Sequence, residues 1–187
     1  MQRPTDLAGW LEYIERQHPK SIALGLERVA RVRDALGIAK FCPIVIVGGT
    51  NGKGSTCAML ESILRSAGYR TGLYTSPHLV RFNERIRLLG VEATDEEIVA
   101  AFHAVEDARL ATPAADGAPT ALTYFEFGTL AALWLFARAQ LDALVLEVGL
   151  GGRLDCVNLL DADAAIVVSV DLDHQDWLGD TIEAIGG

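Results

Sequence analysis

The chemistry-bearing residues of this chain gather at a few short segments. Residues 47–55 read VGGTNGKGS, between an apolar run (PIVIV) and a stretch with helical spacing. Glycines let backbone N–H groups converge on an anion, and the start of a helix adds partial positive charge. Lys53 adds a full charge suited to the β- and γ-phosphates of a nucleotide. A general phosphate loop, G-x-x-x-x-G-K-[ST], would have Gly at 47 and a hydroxyl at 54. Here those positions are Val47 and Gly54, and the hydroxyl comes one residue later, at Ser55. A glycine-rich turn with no ligand is the plainer alternative. Glu147 ends the run ALVLE, where an ionised carboxylate is costly unless a cation or donors meet it. That favours a metal-facing role, although a glutamate that merely emerges from an edge strand fits as well. His174 lies among Asp171, Asp173 and Asp176. By itself it reads as an ion-paired surface residue, because magnesium prefers oxygen ligands.

These residues need a frame, and the hydropathy pattern supplies one. Helices are expected from Thr5, as cap, to about Gln17, and over Leu26–Leu36 with Gly37 as stop. A third is expected over Ser55–Ala67. A capping box at Thr94 and Glu97 opens another to about Leu110, and a long apolar one covers about Phe125–Gln140. PIVIVGG, TGLYTS, ALVLEVG and AAIVVSV read as buried strands. Strands alternating with helices predict an α/β fold, a mostly parallel sheet covered on both faces in the manner of a phosphate-loop NTPase. The loop ATPAADGAPTA is the most plausible flexible stretch. Arg28, Arg31 and Arg33 read as a solvated helix face.

The phosphate loop and five further segments together resemble one family. LGLER (24–28), TSPHL (75–79), TYFEF (123–127), EVGLGGRLD (147–155) and DHQDWLG (173–179) accompany GTNGKGS in order. The chain is similar to dihydrofolate synthase/folylpolyglutamate synthases of the Mur ligase superfamily, specifically their ATP-binding domain. The resemblance implies ligation of L-glutamate to dihydropteroate or a folate polyglutamate through an acyl phosphate. ATP would be held by Gly49, Thr50, Asn51, Gly52, Lys53, Gly54 and Ser55, with Ser55 or Thr56 supporting phosphates or metal. Mg2+ would be held by Ser76, Glu147 and His174, while His78 is only a loop residue. Lys53, Glu147 and His174 would be the catalytic set. The pteroate or folate site would use Ile22, Ala23, Leu24, Thr123, Leu154, Asp155 and Cys156, with Tyr124 and Phe125 available for stacking. Ile22, Leu24 and Leu154 could equally be ordinary core. Ala23 stands where family members carry an acidic residue, and Cys156 replaces a small one. A carbamylated lysine of the family would fall just past Gly187, and a C-terminal glutamate-binding domain is expected beyond it. The chain is thus expected to be one truncated domain, inactive alone. WLEY (10–13) and WLF (134–136) resemble bifunctional bacterial members.

Composition narrows the partners. With 187 residues, half of them hydrophobic, the chain can build one sizeable core. A formal net charge of -9 disfavours nucleic acid. Cys42, Cys57 and Cys156 are widely spaced and suit reduced thiols in a cytoplasmic protein rather than zinc or disulfides. No signal-peptide pattern or membrane span is read, and a monomer acting on small molecules is expected. The alternatives are a ligase acting on a peptidoglycan precursor and a nucleotide-binding module without turnover.

Overall fold

A computed structural model describes residues 3–18 and 25–186. Six strands form one sheet: β1 (Ile44–Gly48), β2 (Thr71–Tyr74), β3 (Ile86–Leu88), β4 (Val91–Glu92), β5 (Ala143–Glu147) and β6 (Ala164–Val167). Their order is β4-β3-β2-β5-β1-β6. The four strands β2, β5, β1 and β6 are parallel, as the continuous apolar runs predict. Strands β3 and β4 add an antiparallel edge that the sequence pattern does not announce. Their two-residue turn, Leu89–Gly90, has positive φ at both positions (55° and 82°). Such a turn is normally advertised by Asn-Gly, not Leu-Gly.

Helix α3 (Lys53–Ser66) packs on one face of the sheet through a small cluster of Val47, Cys57, Leu73 and Val145. The other face carries the main core. There α1 (Leu7–Glu15), α2 (Glu27–Ala35), α4 (Asp95–Ala111) and α5 (Tyr124–Phe136) close over Ile44, Ile46, Leu144 and Leu146. Trp10, Phe102 and Phe127 meet at tilted or edge-on angles within it. Two short helices, α6 (Gln175–Leu178) and α7 (Ile182–Gly186), follow β6.

Several expectations need correction. The first helix is capped by Asp6, whose carboxylate accepts from Gly9 N–H at 2.8 Å, and ends at Glu15 rather than about Gln17. The third begins two residues early, at Lys53, because left-handed Gly52 (φ 90°) turns the loop straight into the helix. The fifth begins at Tyr124 and stops at Phe136 rather than Gln140. AAIVVSV is not buried: β6 is the edge strand, and three of its four residues are exposed. Arg31 of α2 is exposed as expected, but the other two arginines are not simply solvated. Arg28 pairs with buried Glu126, and Arg33 donates to the Leu159 carbonyl.

Candidate functional site

All four parallel strands end on one rim, where ligands of open α/β sheets bind. Each following loop brings a candidate there. The phosphate loop follows β1, Ser76 follows β2, Glu147 closes β5, and the segment reaching His174 follows β6. Register sets Val47 of β1 beside Glu147 of β5, so phosphate loop and carboxylate start as neighbours.

The phosphate loop is shaped by two requirements. Gly49 has φ 124°, and a Cβ there would stand 2.7 Å from Val168 Cγ2 and 2.8 Å from the Ser169 carbonyl. Only glycine lets the loop lie so close to the segment after β6. That contact is then hydrogen-bonded: Thr50 N–H donates to the Ser169 carbonyl at 2.6 Å, Asn51 N–H to Ser169 Oγ at 3.2 Å, and Asp171 N–H to Thr50 Oγ1 at 3.0 Å. Beyond Gly52, α3 has no side-chain cap. Its first-turn N–H groups therefore face outward without an intrahelical acceptor, together with the positive end of the helix. Lys53 Nζ donates back to the carbonyls of Gly49 (2.8 Å) and Thr50 (3.2 Å), which holds the ammonium over the loop.

Glu147 is 4% exposed and lies in β5, flanked by β1 and β2, so the edge-strand alternative falls. One carboxylate oxygen accepts the Ser76 N–H at 2.9 Å. Burial pushes its pKa above the usual range, against the pull of that N–H and the charges of Lys53 and Arg85. A Cβ at Gly54 would lie 3.6 Å from Glu147 Oε1. A side chain at 54 would therefore stand in ordinary contact with the carboxylate, so the loop backbone and Glu147 are direct neighbours. Glu147 is a buried, under-compensated anion beside a lysine and a hydroxyl, a donor set that fits a hard divalent cation completed by phosphate oxygens and water. Among the described residues, no group of three or more His, Cys, Asp or Glu side chains could hold a metal by itself.

His174 is half-exposed, has φ 49°, and lies with its Nε2 3.7 Å from Asp173 Oδ2. It nevertheless lines, with Lys53, both of two cavities that meet at this point. One, about 380 Å³, runs along Gly48–Thr50 and the 149–154 loop to Trp177 and Leu178. The other, about 420 Å³, runs from Lys53 past Ser76 and Arg85 to the start of α5 and to Asp155 and Cys156. Both are of ligand size.

The second cavity gathers four of the expected pterin-site residues. Thr123 caps α5: its Oγ1 accepts from Glu126 N–H (3.3 Å), while Glu126 accepts from Thr123 N–H (2.7 Å). Asp155 accepts from the N–H groups of Gly149 (3.0 Å), Leu150 (2.8 Å) and Val157 (3.0 Å), and burial still lifts its pKa to about 6. Cys156 is buried, its thiol donating to Thr129 Oγ1 at 3.2 Å, and burial pushes its pKa well up. Leu154 is exposed on the cavity wall, so core packing does not explain it. Phe125 sits against Gly149, where any Cβ would strike the ring at 2.5 Å. Ile22, Ala23 and Leu24 lie outside the described residues.

One residue lining this cavity, and a second that touches it from outside, escape the sequence reading. Arg85 lines it and stands over the rings of Phe82 and Tyr124. His78, expected to be a plain loop residue, accepts a hydrogen bond from Arg85. The ERIR stretch offers no periodicity or glycine signal that would have marked Arg85.

No family model matches the chain. The dihydrofolate synthase/folylpolyglutamate synthase of Escherichia coli K12 is 54% identical over 186 residues, 99% of this chain and 42% of its own length. Over nearly its whole length the chain is similar to dihydrofolate synthase/folylpolyglutamate synthases. It spans about two fifths of the length of the curated relatives it matches. A solved structure of E. coli FolC in complex with DHPP and ADP superposes on this chain with a TM-score of 0.91 at 54% identity, covering 100% of it and 43% of that protein. The Yersinia pestis bifunctional synthase complexed with AMPPNP and Mn ion gives 0.88 at 50% identity, covering 100% and 44%. Among the described residues, no helix is long and apolar enough to cross a membrane.

Proposed function

We propose that this chain is a single ATP-binding domain, the nucleotide- and pterin-binding part of a ligase that joins L-glutamate to dihydropteroate or a folate polyglutamate. The uncapped N-terminus of α3, with Lys53 poised over it beside buried Glu147, carries this reading. An anion-seeking helix end, a cation-seeking carboxylate and a ligand-sized cavity share one rim.

In the first step a substrate carboxylate oxygen attacks the γ-phosphorus of ATP. An O–P bond forms, the β–γ bridge breaks, and ADP leaves. In the second, the glutamate amine attacks the acyl carbon, a C–N bond forms, and phosphate departs as the amine loses its proton. Positioning and charge neutralisation do most of the work in such transfers. Lys53 and the N–H groups of Gly52–Ser55 would hold the phosphates, with Ser55 or Thr56 in support. Ser76, Glu147 and His174 would hold Mg2+, which supplies further charge neutralisation when bound. The second cavity would seat the pterin ring against Thr123, Leu154, Asp155 and Cys156, and the family resemblance assigns Ile22, Ala23 and Leu24 to the same substrate. The E. coli structure is a complex with both DHPP and ADP, which supports a nucleotide and a pterin substrate as the two ligands.

The glutamate site is assigned to sequence beyond this chain, as the relatives' greater length allows. Turnover is therefore expected of the longer protein, and nucleotide binding without turnover of these residues alone. We take the enzyme to be a cytoplasmic monomer acting on small molecules, without nucleic acid or membrane. The folate names of the relatives favour this over the peptidoglycan reading.

Calorimetric titration with a non-hydrolysable ATP analogue, with and without Mg2+, tests the site. Wild type should bind in a Mg2+-dependent way. Lys53→Ala should weaken binding roughly 10- to 100-fold, as loss of a hydrogen bond to a charged group does, and Glu147→Ala should remove the Mg2+ dependence. A folded wild type that binds no nucleotide would sink the reading for this chain.

A further inference from the structure

The loop from Ser76 to Arg85 is held together by its own side chains. Glu84 accepts from the N–H groups of Leu79 (2.7 Å), Val80 (2.8 Å) and Arg81 (2.7 Å), fixing the turn. A second tie crosses the loop: Arg85 Nε–H donates to His78 Nδ1 at 2.8 Å. The guanidinium carbon lies 5.5 Å from the Phe82 ring centroid and 5.6 Å from that of Tyr124. Arg85 is thus fixed along one edge and flanked by two rings. Its terminal amino groups make no hydrogen bond to another of the described residues, although Arg85 lines the cavity containing Lys53, Ser76 and Asp155. A guanidinium with a fixed Nε edge and unspent terminal N–H groups is arranged to receive an oxyanion.

We propose that His78 is a positioning residue that aims Arg85 at the carboxylate of the pterin-bearing substrate. The inference rests on the functional reading above and deepens it. Imidazole suits the task because its Nδ1 is an acceptor when the proton sits on Nε2, and Arg85 can only donate. Without that acceptor, Arg85 regains rotamer freedom. It can also turn toward Glu147, an anion it already stabilises, and away from the substrate.

The test compares binding of two ligands by the whole chain: dihydropteroate, and 6-hydroxymethylpterin, which keeps the ring and lacks the carboxylate. His78→Ala should weaken dihydropteroate binding about tenfold, the worth of one hydrogen bond to a charged group, and leave hydroxymethylpterin binding unchanged. His78→Asn, whose Oδ1 can occupy the Nδ1 position, should restore it, whereas His78→Gln should not. The double variant His78→Ala/Arg85→Ala should bind no more weakly than Arg85→Ala. Unchanged dihydropteroate binding in His78→Ala overturns the proposal, as do equal losses for both ligands or additive losses in the double variant. A wild-type chain that binds neither ligand overturns the cavity assignment itself, and is recognised before any variant is made.

Discussion

Two carboxylates on the rim answer burial in opposite ways. Glu147 has one backbone donor and otherwise only the nearby charges of Lys53 and Arg85 to set against its burial, so its charge awaits a partner. Asp155 is met by three N–H groups and uses them to shape the 149–157 turn. Burial nevertheless outweighs those donors and lifts its pKa from 3.8 to about 6. The folded protein therefore binds this proton more tightly than the unfolded chain does. The stability it contributes is complete below about pH 4 and is lost as pH rises through about 6. The difference corresponds to roughly 3 kcal/mol. Denaturant midpoints of wild type against Asp155→Asn should therefore converge or cross between pH 4 and 6.5, with wild type losing ground as pH rises. Parallel curves would show that Asp155 titrates as it does in the unfolded chain. Residues of this kind were legible where type clashed with context: a lysine among glycines, a glutamate closing a run of Leu and Val. Arg85 and His78 were not, because a loop that folds on itself leaves no period to read.

Helices were legible through their caps as much as their apolar spacing. Thr94 with Glu97 forms the capping box its spacing announces, and Thr123 with Glu126 forms another. The two boxes do different things. Glu97 serves its cap on an exposed surface, whereas Glu126 is buried and also pairs with Arg28 of α2. Thr123 itself lines the second cavity. Thr94→Ala should lower stability by about 1 kcal/mol and leave ligand binding alone. Thr123→Ala should cost a similar amount in thermal denaturation and also weaken dihydropteroate binding, because Glu126 and the start of α5 lose their anchor at the cavity wall. Equal effects of the two substitutions on binding would deny Thr123 a place in the site. The β3–β4 hairpin was illegible for a local reason. Its strands are three and two residues long, too short to alternate, and its turn carries Leu89 at a φ that leucine seldom adopts. Strand β6 misled for the opposite reason: its composition is that of a buried strand while its position is an edge.

At the scale of the whole molecule, the site joins a firm part to a loosely anchored one. Strands β1, β2 and β5 are clamped between α3 and the larger helical layer, and they fix Lys53, Ser76 and Glu147. No described residue after Leu160 is buried. The segment bearing His174 is held mainly where Ser169 and Asp171 hydrogen-bond to Thr50 and Asn51 of the phosphate loop. Segments with few buried contacts and exposed hydrogen bonds open locally at small free-energy cost. Nucleotide and Mg2+ would bridge Lys53 and Glu147 to His174, giving that segment the anchor its packing lacks. Hydrogen exchange should therefore be fast over residues 168–178 in the free chain and slow markedly with an ATP analogue and Mg2+, while amides of β1 and β5 stay equally protected in both states. Glu147→Ala should bind the analogue without conferring that protection, since the ligand would then reach the phosphate loop but no longer join it to the far side of the rim. Slowing confined to residues 48–56 would leave His174 outside the site and reduce the metal set to Ser76 and Glu147.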